Sequence, residues 1–477
     1  MTDVILGLDQ GTSSTRCLAF DRDLRQLGAG VVKVGTSFPG PGLVEQDPDE
    51  LAASCTTAIE GALNAARARR ADVVGLGIAN QTETFIVADR ATGRPVHPAI
   101  VWQDRRTDDR CAALAEHAEL VRGRTGLELD ATFPATKLGW VLDHVDAGRA
   151  AAAAGELAYH DVGGWVVSRL GGGHLCEASN AGRTLLCGLG GGDWDDELLE
   201  LFGIPRALLP PIVDSDRIGG PVTAALGDQQ ASLFGLGCHD PGLAKVTLGT
   251  GAFILAQAGT SPPDPPPGVL ASCAWRRGGE TSYALEGFVP AAGAALDWFT
   301  SIGVLPPAAE LDGLLAQAGP EDGSVVAVPS LQGLGTPAWE ASTHGALLGL
   351  TRATTRAQIA RAVVDGVLHQ VADALEAIAQ AMPLRTVLLD GGMSRSDWVV
   401  QRLAEIAGVE VRRAACAQAT ALGAAMLAGL AAGVWAGVGE LPPAAVDRVT
   451  EPAWTEAERA ERRRAWSDAR ALAGRWR

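Results

Sequence analysis

The chain has 477 residues, 47% of them hydrophobic and 20% charged, with a formal net charge of −17. That length accommodates two domains with large cores, and the acidic balance argues against a nucleic-acid surface and against docking on anionic membranes. Eight dispersed cysteines without a CxxC pair spell neither a zinc site nor a disulfide framework, and no apolar run is long enough to span a membrane, so the expectation is a cytoplasmic protein.

Two apolar runs, Val4 to Leu8 and Cys17 to Phe20, flank a turn of Gly, Ser and Thr and predict a β-hairpin. Gly11 allows close approach of the backbone to a ligand. The amides and hydroxyls of Thr12, Ser13 and Ser14 can donate to an anion, and Arg16 adds a positive charge. Asp9, at the strand end, is placed to serve a Mg²⁺ ion through water. The same residues also describe an ordinary turn. A further strand, Leu24 to Val32, leads to a helix start with Asp47 as N-cap, Pro48 at the first position and Glu50 able to reach back. Leu51, Cys55, Ile59 and Leu63 then recur every four residues, which predicts a helix covering a sheet.

Val73 to Ile78 reads as a buried strand ending in the polar run Ala79 to Thr84, where ligands of α/β sheets gather. Strands at Phe85 to Ala88 and Ala99 to Trp102 precede a helix starting in Gln103 to Thr107. Residues 145 to 157 read as an Ala-rich helix, and Asp161 to Leu170 as another. The glycine loop 188–192 lacks the Lys-Ser/Thr of a P-loop and reads as a connector. Asp228 stands just ahead of a small-residue helix, Ala231 to Leu236, where an acid is ordinarily a cap.

From residue 244 the opening pattern repeats: strand, Gly249-Thr250-Gly251, strand. Two such hairpins predict a duplicated architecture, with a boundary that divides the chain into 1–237 and 238–477 and with the two turns facing one cleft. Later come a helix from Ala291 to Phe299, a strand at Val325 to Val328 and a long helix from Thr355 to Gln380. Thr386 to Leu389 then runs into Asp390-Gly391-Gly392 and a helix capped by Ser396. Strand, Gly-Gly and helix start place bare backbone where a nucleotide can lie. The last twenty residues read as a charged surface helix.

In this order the motifs LGLDQGTSSTRCLAFD, GLVEQDPDE, IANQTET, AIVWQDRRT, GDQQASLFG, KVTLGTGAFIL, YALEGF, GALLGLTR and DGGMSRSDW resemble the FGGY family of carbohydrate kinases over nearly the whole chain, most nearly its glycerol kinase branch. The resemblance implies an α/β chain of two actin-like, ribonuclease H-like domains closing over ATP, Mg²⁺ and a small polyol or sugar, with homo-oligomerisation left open. Matched by motif, Asp9 and Asp228 would serve the metal, and Asp228 would be the catalytic base. Thr12, Ser13, Ser14 and Arg16 would hold the transferred phosphate, with Thr250, Gly251, Gly293, Gly391, Gly392 and Ser396 along the nucleotide. Thr82, Glu83, Trp102, Thr132, Gln229 and Phe253 would join Asp228 around the acceptor.

Two positions depart from the branch. Glycerol kinases carry Arg where this chain has Thr82, and Tyr where it has Thr132. Two large polar side chains have become small, each a loss of on the order of 1–3 kcal/mol for a site built to bond glycerol hydroxyls. The reading is therefore an ATP-dependent kinase for a terminal hydroxyl of a polyol or sugar larger than glycerol. The alternatives are glycerol kinase proper, and a nucleotide-binding sensor or scaffold without catalysis.

Overall fold

The structure, a computed structural model, describes residues 3–319 and 325–476. Each predicted hairpin sits at the middle of its own sheet. In the first sheet, Val4–Gln10 pairs antiparallel with Ser14–Phe20 and parallel with Val73–Asn80, which is parallel in turn to Ala224–Gly227. In the second, Leu243–Leu248 pairs antiparallel with Ala252–Gly259 and parallel with Thr386–Asp390, itself parallel to Glu410–Ala414. The strand order is the same in both, and the seven-stranded second sheet adds Leu270–Arg277 and Val446–Thr450 at its edges. The parallel strands of each sheet end on one side, and their carboxyl ends carry Asp9, Asn80 and Gly227-Asp228 in one half and Leu248 and Asp390 in the other.

Helix Pro48–Ala66 covers the first sheet through Leu51, Cys55, Ile59 and Leu63, as the four-residue spacing predicts, with Asp47 accepting the Asp49 and Glu50 amides. Glu50 does not reach back to the cap; its Oε1 accepts the Gly35 amide instead. The long helix Arg356–Ala379 is buried against the second sheet and starts in a Thr355–Gln358 capping box. Helix Ala419–Ala431 lies against the first sheet and against helix Asp228–Gly235, although it belongs to the second half of the sequence. Contact there is backbone to backbone: a Cβ on Gly77 would stand 1.9 Å from the Ala424 carbonyl oxygen, and one on Gly423 would stand 1.8 Å from that of Ala231.

Several expected elements differ. The Ala-rich stretch is helical only over Gly148–Ala153. It stops at Gly155, whose φ is +74°, and Leu157–Asp161 becomes a strand pairing with Phe85–Asp89, so long-range pairing overrides alanine's helical preference. Asp104 and Arg106 do not open a helix; with Glu45 they form a buried ion cluster, Arg106 lying 2.8 Å from Asp104 and 2.7 Å from Glu45, and the helix begins at Asp108. Helix Gly293–Ser301 starts two residues later than the apolar pattern indicates. The C-terminal helix Glu456–Arg475 is not simply a surface helix: Trp466 is 1% exposed, and its indole N–H donates to Asp373, which also pairs with Arg463 and Arg470.

Candidate active site

A cavity of 710 Å³ opens between the two sheets. The first half contributes Thr12, Thr82, Glu83, Trp102, Thr132, Asp228 and Gln229 to its lining, and the second half contributes Phe253. All seven side chains expected around an acceptor therefore meet in one place, with the first hairpin turn at its edge. The tip of that turn is closed by the Gly11 amide on the Ser14 carbonyl. Thr12 accepts the Trp102 indole N–H at 3.0 Å through its hydroxyl and the Gln46 amide at 2.6 Å through its carbonyl, while Ser13 is exposed. Arg16 stands opposite Asp9 in the hairpin and donates to Gln418, just ahead of the helix that crosses from the second half.

The second turn is fixed from below. The amides of Ala292 and Ala294 donate to the Thr250 carbonyl and that of Gly293 to Gly249, so the turn is stapled onto the start of helix Gly293–Ser301. A Cβ on Gly293 would lie 2.5 Å from the Gly249 carbonyl oxygen, and one on Gly391 would lie 2.4 Å from that of Leu248; Gly391 also has a φ of +94°. Only glycine fits at these two contacts. Thr250, Gly251, Gly293 and Gly391 are thus gathered at the carboxyl ends of the second sheet. Gly392 follows in the open, and Ser396, one short turn further on, caps helix Asp397–Ala407 and gives its hydroxyl to Asp312.

Asp228 is the first residue of its helix and not its cap; Gly227 takes that position. Withdrawal from water and the nearby Glu83 charge push its carboxyl up to about 6, while Lys245 and the Gln229 amide, which donates to it at 2.7 Å, pull the other way. Asp9 is pushed up to about 7, first by desolvation and then by the charge of Asp228, with Arg16 opposing. Two half-buried acids that repel each other suit a divalent cation, and Mg²⁺ takes one or two carboxylates with water and phosphate oxygens. Among the described residues no cluster of three or more His, Cys, Asp or Glu offers a richer cage.

This pair has a measurable signature. Between about pH 4 and 7 the folded chain keeps protons on Asp9 and Asp228 that the unfolded chain, near 3.8, has already released. The resulting stabilisation is complete below that ordinary value and is lost as pH rises through 6 and 7. In chelator, the thermal midpoint of the parent is expected to fall between pH 5 and 8 more steeply than that of Asp9→Asn; equal slopes would exclude the coupling.

Sequence reasoning missed several residues here. Arg183 lies 2.6 Å from Glu83 and 2.6 Å from Glu286, so one guanidinium joins a carboxylate of the first half to one of the second. Glu286 also accepts from Ser272. Lys245, completely buried, donates to Gln229 at 2.5 Å and to Thr247 at 3.0 Å. Arg183 lies in a plain string, Asn-Ala-Gly-Arg, and although Glu286 belongs to the YALEGF string, neither string signals that the two side chains meet. An inward-facing Lys in the apolar strand Leu243–Leu248 was the one available signal, since a buried cation needs a partner.

The profile of the N-terminal domain of the FGGY family of carbohydrate kinases matches residues 4–237, and that of the C-terminal domain matches residues 244–432. The chain is 43% identical to a glycerol kinase of Aromatoleum aromaticum, with 92% of each chain covered, and 45% identical to one of Methylobacterium nodulans, with 91% of each covered. Among solved structures, the glycerol kinase of Plasmodium falciparum with ADP superposes with a TM-score of 0.92 at 25% identity, over 99% of this chain and 98% of that one. A xylulose kinase of Brucella ovis superposes with a TM-score of 0.89 at 27% identity, over 98% of both. Among the described residues no helix is long and apolar enough to cross a membrane.

Proposed function

Because the chain belongs to the FGGY family of carbohydrate kinases, whose two domain profiles together match most of its length, we propose that the cavity beneath Thr12 is its acceptor site and Asp228 its base. The protein is an ATP-dependent kinase acting on an alcohol, glycerol kinase-like in sequence. The observation that supports the site assignment is the meeting at one cavity of Thr12 from the first turn, the acid Asp228 and Phe253 from the second half of the chain.

The chemistry follows from position. Phosphoryl transfer asks little covalent help of the protein but demands in-line placement and neutralised oxygens. As the acceptor oxygen bonds to the transferred phosphorus, the bond from that phosphorus to the bridging oxygen breaks and ADP departs with that oxygen and its electron pair, while the acceptor's proton passes to a carboxylate oxygen of Asp228. The Lys245 charge nearby favours the ionised form that can take it. The amides and hydroxyls of Thr12, Ser13 and Ser14, with Arg16, hold the moving phosphoryl, while Thr250, Gly251, Gly293 and the Gly391-Gly392 turn offer backbone to the rest of the nucleotide. Mg²⁺ held at Asp9 and Asp228 would neutralise phosphate charge.

The acceptor is a polyol or sugar larger than glycerol. Thr82 gives its hydroxyl to Glu83 at 2.5 Å and Thr132 gives its own to Asp130 at 2.6 Å, so neither reaches into the space a larger side chain would fill. Release of ADP, measured over glycerol and a series of four- to seven-carbon acceptors, tests this. A larger acceptor is expected to show the highest kcat/KM. Glycerol far ahead of all others would make the protein a glycerol kinase proper; ATP binding without turnover on any alcohol would favour a sensor or scaffold.

A further inference from the structure

The two walls of the cavity differ in kind. On the second sheet, Phe253 stands opposite Phe288, and Glu286 is flanked by Leu255 on one neighbouring strand and Leu270 on the other. Phe253 and Leu255 are two residues apart, as are Glu286 and Phe288, so these side chains share the face turned to the cavity. The two phenyl rings lie with centroids 5.0 Å apart. Pro337 and Trp339 extend the apolar surface towards solvent, Trp339 being 43% exposed with its indole N–H held by the Gly268 carbonyl at 2.7 Å. Apart from Glu286, this wall offers no charged side chain among the described residues.

The polar groups away from Asp228 already hold one another. Glu286 and Glu83 share Arg183, and Glu128 is paired with Arg122, whose other donors go to the Pro266 and Val269 carbonyls. Asp130 receives Arg105 at 2.6 and 3.0 Å, together with the amide and hydroxyl of Thr132. On the Asp228 helix, the buried Gln230 donates from Nε2 to Glu286 at 3.5 Å, while its Oε1 has no partner among the described residues. Hydrogen-bonding capacity is therefore concentrated at the Asp228 end. An acceptor hydroxylated along its whole length would bury hydroxyls against phenyl and leucyl groups without partners, which is unfavourable, whereas an apolar extension gains from the same contact.

Resting on the acceptor site assigned above, we propose that the acceptor is amphipathic: a vicinal diol or short polyol at the phosphorylated end, carrying an apolar alkyl or deoxy extension that lies along Phe253, Leu255, Leu270 and Phe288. The extra volume is filled by carbon without hydroxyls.

The test compares ADP release with glycerol, ribitol and the 3-methoxy, 3-ethoxy and 3-propoxy derivatives of propane-1,2-diol. The value of kcat/KM is expected to rise by roughly fourfold for each added methylene that is buried, and ribitol to fall below the propoxy diol. Phe288→Ala is expected to lower the ratio of propoxy diol to glycerol efficiency about tenfold. A flat or falling alkoxy series, ribitol ahead of the propoxy diol, or an unchanged ratio in Phe288→Ala would each overturn the proposal while leaving the kinase reading intact. No acceptor-dependent ADP release with any of the five would instead sink the acceptor site itself, and this proposal with it.

Discussion

Asp228→Asn is expected to lower kcat by about a hundred- to ten-thousandfold, the usual contribution of a positioned general base, with ATP affinity nearly unchanged. The replacement keeps the shape of the side chain and an oxygen able to accept the Gln229 amide, so the start of the helix has no reason to move. What it removes is a proton acceptor and one negative charge. Removal of that charge also relieves Asp9, whose carboxyl stands near 7 partly because of Asp228, so the metal-free variant is expected to be at least as stable as its parent. Steady-state kinetics, nucleotide titration and a thermal melt separate the three effects. Full activity would exclude Asp228 as the base, and collapse of all three together would mean that the variant had misfolded.

The second large effect is expected at Arg183. Glu83 and Glu286 are 9% and 7% exposed, and both point at this one guanidinium. Arg183→Met leaves two poorly hydrated carboxylates without their counter-charge, a change on the order of 3–5 kcal/mol for a buried pair broken from one side. Urea unfolding should show that loss, and the acceptor KM should rise because Glu83 is no longer held. Adding Glu286→Gln to Arg183→Met should recover part of the stability, since one stranded charge disappears; the coupling between the two positions is the quantity a double-mutant cycle isolates. An Arg183→Met variant as stable as its parent would show that the ion triad contributes nothing net.

These two residues mark the limits of what the sequence discloses. The place of Asp228 at a strand-to-helix junction was legible, but there an acid reads as a cap, and its candidacy as a base came from the string GDQQASLFG that resembles the family's. The hairpins at residues 4–20 and 244–259 were legible too: apolar alternation and small-residue turns are local properties, and their repetition announced the shared strand order of the two sheets. Arg183 and Glu286 were not. Their meaning lies in a contact spanning 103 residues, and although Glu286 stands in the YALEGF string, nothing in that string pairs it with Arg183. The strand Leu157–Asp161 was hidden for a related reason, since pairing with Phe85–Asp89 decided its conformation against an alanine-rich approach. Trp466 shows the converse error: a helix rich in Arg and Glu looks solvent-bathed until its single indole finds Asp373.

The crossing of helices Asp228–Gly235 and Ala419–Ala431 has a mechanical corollary. Where Gly423 rests on the Ala231 carbonyl and Gly235 on that of Ala419, no Cβ stands between the two helix backbones, so a side chain at either glycine would push the halves of the chain apart. One of the two crossing helices begins with Asp228, and the other lies on the first sheet as well, so the second half of the chain braces the element that carries the acid. A bulkier residue at Gly423 would therefore be felt at the carboxylate proposed as the base, although it lies in the other half of the sequence.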